Sequence, residues 1–377
     1  MSAIRRVFYL GSRPLEENTG GITYMNEVVD YLMSQCAVIF WNPEKEVRSF
    51  RKRVNRLTPQ SFLRQMISNL WGIRKLQGIG NDEIVIMNSY LRHRFLLFAM
   101  WARYITRCEL VIFVNAIYQY SRGSEFLNTV DRCITRLLLK QATLVIANSE
   151  STKEEILDLG IDGCRVEVIQ PRLSMPPDVD GLGKGPQVGT FEILYVGYCE
   201  PFKEVHILIK AIGRLRSLPV CLHIIGDMES DPEYVAMIRR LIQQLGIEDR
   251  VVFHGRIKKC GLGEWFKRAD VFVSPGRGEG YGRALAEAMY FGLPVIGADR
   301  GASKELIDDG VNGFLFRSGC DESLAVQILR LFEDEELREK CGRKAREAIQ
   351  RKANFDQNVG EQFYWTLLDR GMGRGQA

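Results

Sequence analysis

Between Ser274 and Ala298 the chain reads SPGRGEGYGRALAEAMYFGLPVIGA, with Glu279 set among glycines and Glu287 eight positions further on. The local pattern predicts a strand ending at Pro275, a glycine-rich turn, a helix stopped by Gly292, and a new strand opened by Pro294. Backbone amides at a helix N-terminus, together with the helix dipole, favour an anion such as phosphate. Carboxylates repel phosphate and instead seek hydrogen-bond donors, which sugar hydroxyls supply. A ligand with a diphosphate at its centre and a hydroxylated ring at each end accounts for both features, and that ligand is a nucleotide diphosphate sugar. The stretch is not the dinucleotide-binding fingerprint, which needs a third glycine where Tyr281 stands. Nor does the glutamate spacing suit a glycosidase pair. Eight helical residues rise ~12 Å, beyond the roughly 5–9.5 Å those mechanisms use.

The elements that must hold this turn are legible along the whole chain of 377 residues. RRVFYLGS, AVIFWN, DEIVIMNS, ELVIFVNA, ATLVIANS and RVEVIQP read as strands in the first half. FEILYVGY, VCLHIIGD, RVVFHGRI, ADVFVSP and LPVIGA read as strands in the second. Helical patterns lie between them, including ITYMNEVVDYLMSQ after a loop holding Gly20 and Gly21, and a segment from Phe95 to Arg107. Near-continuous apolar strands alternating with helices predict parallel sheets covered on both faces. The fold class is therefore α/β, with two doubly wound Rossmann-like domains facing across a cleft. Such folds bind ligands at the carboxyl ends of their strands. The boundaries expected are 1–173 for the first domain, 174–189 for a Pro- and Gly-rich linker, and 190–355 for the second domain.

Composition narrows the class further. Apolar residues make up 46% and charged residues 26%, the balance of a globular protein. The start MSAIRRVFYLGS reads as a first strand rather than a secretory leader. The nine cysteines are scattered with no C-x-x-C pair, so no zinc or redox motif is signalled and they read as reduced thiols of a cytoplasmic protein. The net charge of +4 decides little, but its distribution is uneven. Arg48, Arg51, Lys52, Arg53 and Arg56 open a stretch to Lys75 that has no acidic residue and carries Phe50, Phe62, Leu63, Leu70 and Trp71. This basic amphipathic pattern suits peripheral contact with an anionic membrane surface at its inner face, or equally a solvated basic helix. Nucleic acid is not expected, because no recognition module accompanies the charge.

Taken together, Ser274-Pro275, Glu279-Gly280-Tyr281-Gly282, Glu287-Ala288-Met289 and Gly292-Leu293-Pro294-Val295-Ile296 resemble the retaining glycosyltransferases of family 4, with the GT-B fold. ANSESTKEEILDLGI, DDGVNGFLF and GGITYMNEVVDYL extend the resemblance over most of the chain. It is loosest between about residues 42 and 82. By position, the resemblance implies that Glu279 contacts the donor sugar and Glu287 the ribose, with Gly280, Tyr281 and Gly282 offering amides to sugar or phosphate. It implies that Lys203 neutralises the diphosphate, that Arg256 and Ile257 border the base, and that Gly20 and Gly21 close over the donor. Arg283 adds positive charge beside the phosphates. It further implies a C-terminal helix, within 356–377, that crosses back onto the first domain. UDP is the base the family often uses, and a lipid-linked or polysaccharide acceptor in glycan biosynthesis fits the basic segment.

Two positions depart from the family pattern. Tyr198 stands where Val-Gly-Arg is common, and Asn115 stands where many members carry a His. Removal of an arginine at the leaving group raises an alternative, a catalytically weak or inactive nucleotide-sugar-binding or scaffold protein. An amide at Asn115 still hydrogen-bonds a sugar hydroxyl and alters donor preference instead. The family mechanism retains anomeric configuration by front-face attack, in which the departing phosphate oxygen takes the acceptor proton. It needs no protein base, and His93, His206, His223 and His254 read as surface or packing residues. Asp178-Val179-Asp180 lies in the linker and not at a strand end, so no essential metal or other cofactor is expected for transfer.

Overall fold

Segments such as IVIM, LVIFV and LVIA present no polar face, so they are stable only as strands of a parallel sheet buried on both sides. The computed structural model describes residues 6–10, 20–41, 83–88, 99–100, 102–115, 125–173, 189–352 and 358–372. The linker, the basic stretch from Arg48 to Lys75, and His93 lie outside the described residues, apart from Gly189. The chain divides into two units, Met1–Arg172 with Asp356–Ala377, and Leu173–Phe355.

In the first unit the described strands are β1 (Arg6–Leu10), β2 (Ala37–Trp41), β3 (Ile84–Asn88), β4 (Glu109–Val114), β5 (Leu144–Ala147) and β6 (Val166–Val168). They form one parallel sheet in the order β2-β1-β3-β4-β5-β6. Helices α1 (Gly20–Gln35), α2 (Glu125–Gln141) and α3 (Glu150–Asp158) connect them. The two glycines expected in a loop before α1 are instead its first two residues. Burial of Met25, Val28, Val29 and Leu32 draws this helix onto the sheet, and packing rather than propensity sets its start. The segment expected as a helix to Arg107 is α-helical at residues 99–100 and a π-helix over Ala102–Thr106. Thr106 donates its hydroxyl to the Ala102 carbonyl at 2.7 Å, a local bond that competes with the regular ladder.

The second unit holds β7 (Phe191–Val196), β8 (Val220–Ile225), β9 (Val251–Gly255), β10 (Val271–Ser274), β11 (Val295–Ala298) and β12 (Phe314–Phe316). All pair in parallel, in the order β12-β11-β10-β7-β8-β9. The crossovers are α4 (Val205–Arg214), α5 (Pro232–Leu245), α6 (Lys259–Arg268), α7 (Arg283–Tyr290) and α8 (Gly301–Leu306). Helices α9 (Asp321–Glu333) and α10 (Glu335–Lys352) follow β12. The strand order reverses between β7 and β10, so the crevice for a ligand falls at the carboxyl ends of those two strands.

The last described helix, α11 (Val359–Asp369), packs in the first unit. Phe363 is fully buried against Phe113 of β4, with ring centroids 4.9 Å apart, while Trp365 on the other face is exposed. Arg370 closes this contact by donating to the Cys164 carbonyl at 2.7 Å.

Candidate functional site

The chain leaves β7 at Val196 and makes a short 3-10 turn at Pro201–Lys203. It leaves β10 at Ser274 and enters the glycine turn. Both segments therefore emerge at the reversal point of the sheet, and they meet. The Lys203 ammonium forms a hydrogen-bonded ion pair with the Glu279 carboxylate, across 76 positions of sequence. Both side chains are mostly buried, at 13% and 20% exposure. The Glu279 carbonyl accepts a hydrogen bond from the Ala302 amide at 2.9 Å. Gly301 sits in the left-handed region at φ +58°, and a Cβ there would lie 2.7 Å from that same carbonyl. The first turn of α8 thus fixes the backbone of Glu279, and the 3-10 turn fixes its carboxylate.

Helix α7 begins only at Arg283, capped by Gly282 at φ +70°. Glu279 therefore lies in the loop, and the two carboxylates are not related by a helical rise. The amides of Gly280 to Gly282 lead into the N-terminus of α7, as an anion site requires. Tyr281 is part-buried, and burial pushes its phenol up to about 12. Glu287, on α7, is 5% exposed. Burial raises its carboxyl from 4.5 to about 7, against the opposing pull of Lys259 and Arg283. Lys259 Nζ lies 3.8 Å from Glu287 Oε1. Arg256 follows β9 and pairs with Asp227 at 2.8 Å, while Ile257 packs half-buried beneath α6. Lys259, at the start of α6, thus faces Glu287, while Arg256 is held by Asp227.

Sequence reasoning missed Glu204, Lys259 and Asp227. Lys259 follows the HGRI loop by two positions, so a charge opposite Glu287 was legible there. Glu204 carried no local signal. It is a non-glycine residue at φ +49°, buried between the 3-10 turn and α4, and its Oε1 accepts from Arg277 Nε at 3.1 Å. Burial raises its carboxyl and Arg277 opposes that rise. Arg277 is thus committed to Glu204. The Tyr198 carbonyl accepts a 2.8 Å hydrogen bond from the Tyr195 hydroxyl.

In the first unit, Asn115 follows β4 and is 5% exposed. Neither its amide nitrogen nor its amide oxygen has a hydrogen-bond partner among the described residues. Its backbone carbonyl accepts from Asn148 Nδ2 at 2.8 Å, and Asn148 in turn accepts from Thr152 in α3 at 2.9 Å. The ANSEST segment thus anchors the backbone of Asn115 and leaves its side chain unused. Gly20 and Gly21 open α1, the helix that follows β1 at the reversal point between β1 and β3. The described histidines are engaged with other partners than Glu279 and Glu287. His206 meets the Tyr234 hydroxyl at 2.8 Å, with burial pushing its imidazole down to about 4. His223 of β8 and His254 of β9 contact each other through Nδ1 and Nε2 at 2.9 Å.

Family models match both halves of the chain: Glycosyltransferase Family 4 over residues 19–171, and Glycosyl transferases group 1 over residues 184–348. The chain belongs to glycosyltransferase family 4. HepE of Anabaena, solved in complex with UDP, superposes with a TM-score of 0.70 at 22% identity, covering 97% of this chain and 100% of that one. Sucrose-phosphate synthase of Thermosynechococcus elongatus gives 0.72 at 18% identity, covering 97% and 100%. Both establish the GT-B fold. Among curated proteins, a D-inositol 3-phosphate glycosyltransferase of Xylanimonas cellulosilytica is 30% identical over 218 residues, 53% of this chain and 52% of that protein. An N-acetyl-alpha-D-glucosaminyl L-malate synthase of Bacillus anthracis is 27% identical over 244 residues, 62% of each chain. The match thus spans between about half and two thirds of these relatives' length.

Proposed function

We propose that the chain is a retaining, metal-independent glycosyltransferase. It moves a hexose-type sugar from a nucleotide diphosphate sugar, with UDP the favoured base, to a lipid-linked or polysaccharide acceptor in glycan biosynthesis. The observation that carries this reading is the Lys203–Glu279 pair at the mouth of the α7 amides. Without donor, each group neutralises the other. An arriving diphosphate competes for the ammonium, and Glu279 is then released to accept from a sugar hydroxyl. Positive charge moves onto the oxygen that must leave, which is where stabilisation lowers the barrier. Glu287 is assigned, in this reading, to accept from ribose hydroxyls. The orphaned amide of Asn115 would regain its hydrogen bonds on a ligand hydroxyl, since an unpaired buried group costs ~1–3 kcal/mol. Lys203 and the α7 amides supply the charge that a metal ion would otherwise bring to the phosphates. The basic stretch holding Arg48, Arg51, Lys52, Arg53 and Arg56 is assigned to an anionic membrane surface, which places the enzyme peripherally at the cytoplasmic face.

The test is turnover of a panel of nucleotide sugars, followed by nucleotide release and by the anomeric configuration of the product. Activity is expected in EDTA at temperatures where the chain stays folded, with the donor's configuration retained. Glu279→Gln is expected to lower kcat by roughly 10²–10³, the range for loss of one charge-stabilising contact. Absence of turnover with every donor, together with retained nucleotide binding, would instead support a sugar-binding protein. Tyr198 is the observation that favours that second reading.

A further inference from the structure

In the second unit, β7 and β8 pair so that Glu192 stands beside Cys221 and Leu194 beside His223. In-register partners share a face of a parallel sheet, as do residues two apart on one strand. Glu192, Cys221 and His223 therefore converge on one face, and their ligand atoms all lie within 4.8 Å of one another. Glu192 and His223 are buried, and Cys221 is half-buried. A cavity of about 370 Å³ opens beside all three, toward Asp249, Arg250 and Arg268. The cluster sits near the amino ends of the strands. Glu192 precedes the end of β7 by four residues, ~13 Å of strand, on the side away from Lys203 and Glu279.

From this convergence we infer that Glu192, Cys221 and His223 form a zinc-binding site in the second unit, separate from the transfer site. A thiolate, an imidazole and a carboxylate are the three ligand types zinc accepts, at about 2.0–2.3 Å each. Ligands at that radius stand roughly 3.3–3.8 Å apart in a tetrahedron, so closure from 4.8 Å asks only for side-chain rotation. The open cavity admits water as fourth ligand. Two anionic ligands balance the dication, so the buried site is neutral.

Two details point beyond an ordinary buried Glu–His pair. His223 Nε2 faces Glu192, while its Nδ1 meets His254 Nε2 at 2.9 Å. That outer contact, with Trp265 packed on both rings, fixes the tautomer and orientation of a metal-ligating imidazole. A Glu–His pair also has no need of the Cys221 sulfur, which lies within 4.8 Å of the ligand atoms of both. On binding, the Cys221 thiol loses its proton to solvent and the S–Zn bond forms. The absence of any C-x-x-C pair had left this site unsignalled. Its motif is Cys-x-His on one strand with a carboxylate from the next.

The experiment uses the full chain stripped of metal, titrated with Zn²⁺ by calorimetry and with Co²⁺ by absorption. One equivalent of each is expected to bind, with a thiolate-to-cobalt charge-transfer band and release of a proton. Cys221→Ser is expected to abolish the band and weaken Zn²⁺ by at least 100-fold. His254→Gln is expected to weaken it by roughly 10- to 100-fold, as for loss of an outer-shell partner. Cys260→Ser, at an exposed cysteine, leaves both unchanged. A wild-type chain without the band, or a band that survives Cys221→Ser, would overturn the assignment.

Discussion

Glu287 offers the sharpest perturbation, because its carboxylate is buried on α7 with Lys259 in ion-pair range, at 3.8 Å. Its folded value is raised from 4.5 to about 7, chiefly by burial. A raised carboxyl destabilises the folded state once it must ionise. Stability is therefore fully present below about pH 4.5 and is lost as pH climbs through about 7. At 1.36 kcal/mol per pH unit the total loss comes to about 3 kcal/mol, of which about 2 falls between pH 5.5 and 8.5. Glu287→Gln removes the ionisation. Urea denaturation of the two proteins at pH 5.5 and 8.5 should show the variant gaining about 2 kcal/mol on the wild type over that interval. UDP affinity moves the other way: the wild type binds better as the carboxylate forms above pH 7, whereas the variant binds weakly throughout. A stability difference that stays flat with pH would refute the reasoning, since it would mean the carboxylate is already ionised at acid pH or is paired elsewhere.

Asn115→Ala removes two buried amide atoms that have no partner among the described residues, relieving ~1–3 kcal/mol of desolvation cost against a similar loss of packing. Thermal stability should hold or rise while donor-induced stabilisation falls, and a loss beyond about 2 kcal/mol would show the amide to be structurally bonded. Neutralising Arg51, Lys52, Arg53 and Arg56 together should weaken binding to anionic vesicles by about 1 kcal/mol per charge near the surface. Unchanged co-sedimentation would make this stretch an ordinary solvated one.

Which features could be read from sequence follows from how local their causes are. The strands were legible because runs such as LVIFV and IVIM have no polar side to misplace, and their alternation with helices allows few topologies. Glu279 and Glu287 were legible because the turn, the cap at Gly282 and the stop at Gly292 lie within one local segment. Lys203 meets Glu279 only because the sheet reverses between β7 and β10, a fact of strand order that no spacing reveals. The left-handed Glu204 was hidden for a related reason: its conformation is held by burial and by Arg277, not by its own preference. The Glu192, Cys221 and His223 cluster depends on register between two strands, and a slip of one residue would scatter it. The π-helical turn at Ala102–Thr106 shows the opposite case, a local side-chain bond overriding a helical pattern.

The central claim is a nucleotide-sugar site in which Lys203 neutralises the diphosphate. Its most direct test is thermal denaturation of the wild type and of Lys203→Met against UDP, GDP, ADP, CDP and TDP, without added metal. At 100-fold its dissociation constant a bound nucleotide adds ~2.7 kcal/mol, a rise of roughly 5–11 °C in Tm for a domain of about 150–250 residues. One nucleotide, expected to be UDP, should stabilise the wild type by that amount and leave Lys203→Met unmoved. A wild type unmoved by every nucleotide, or a variant stabilised as much as the wild type, would contradict the account.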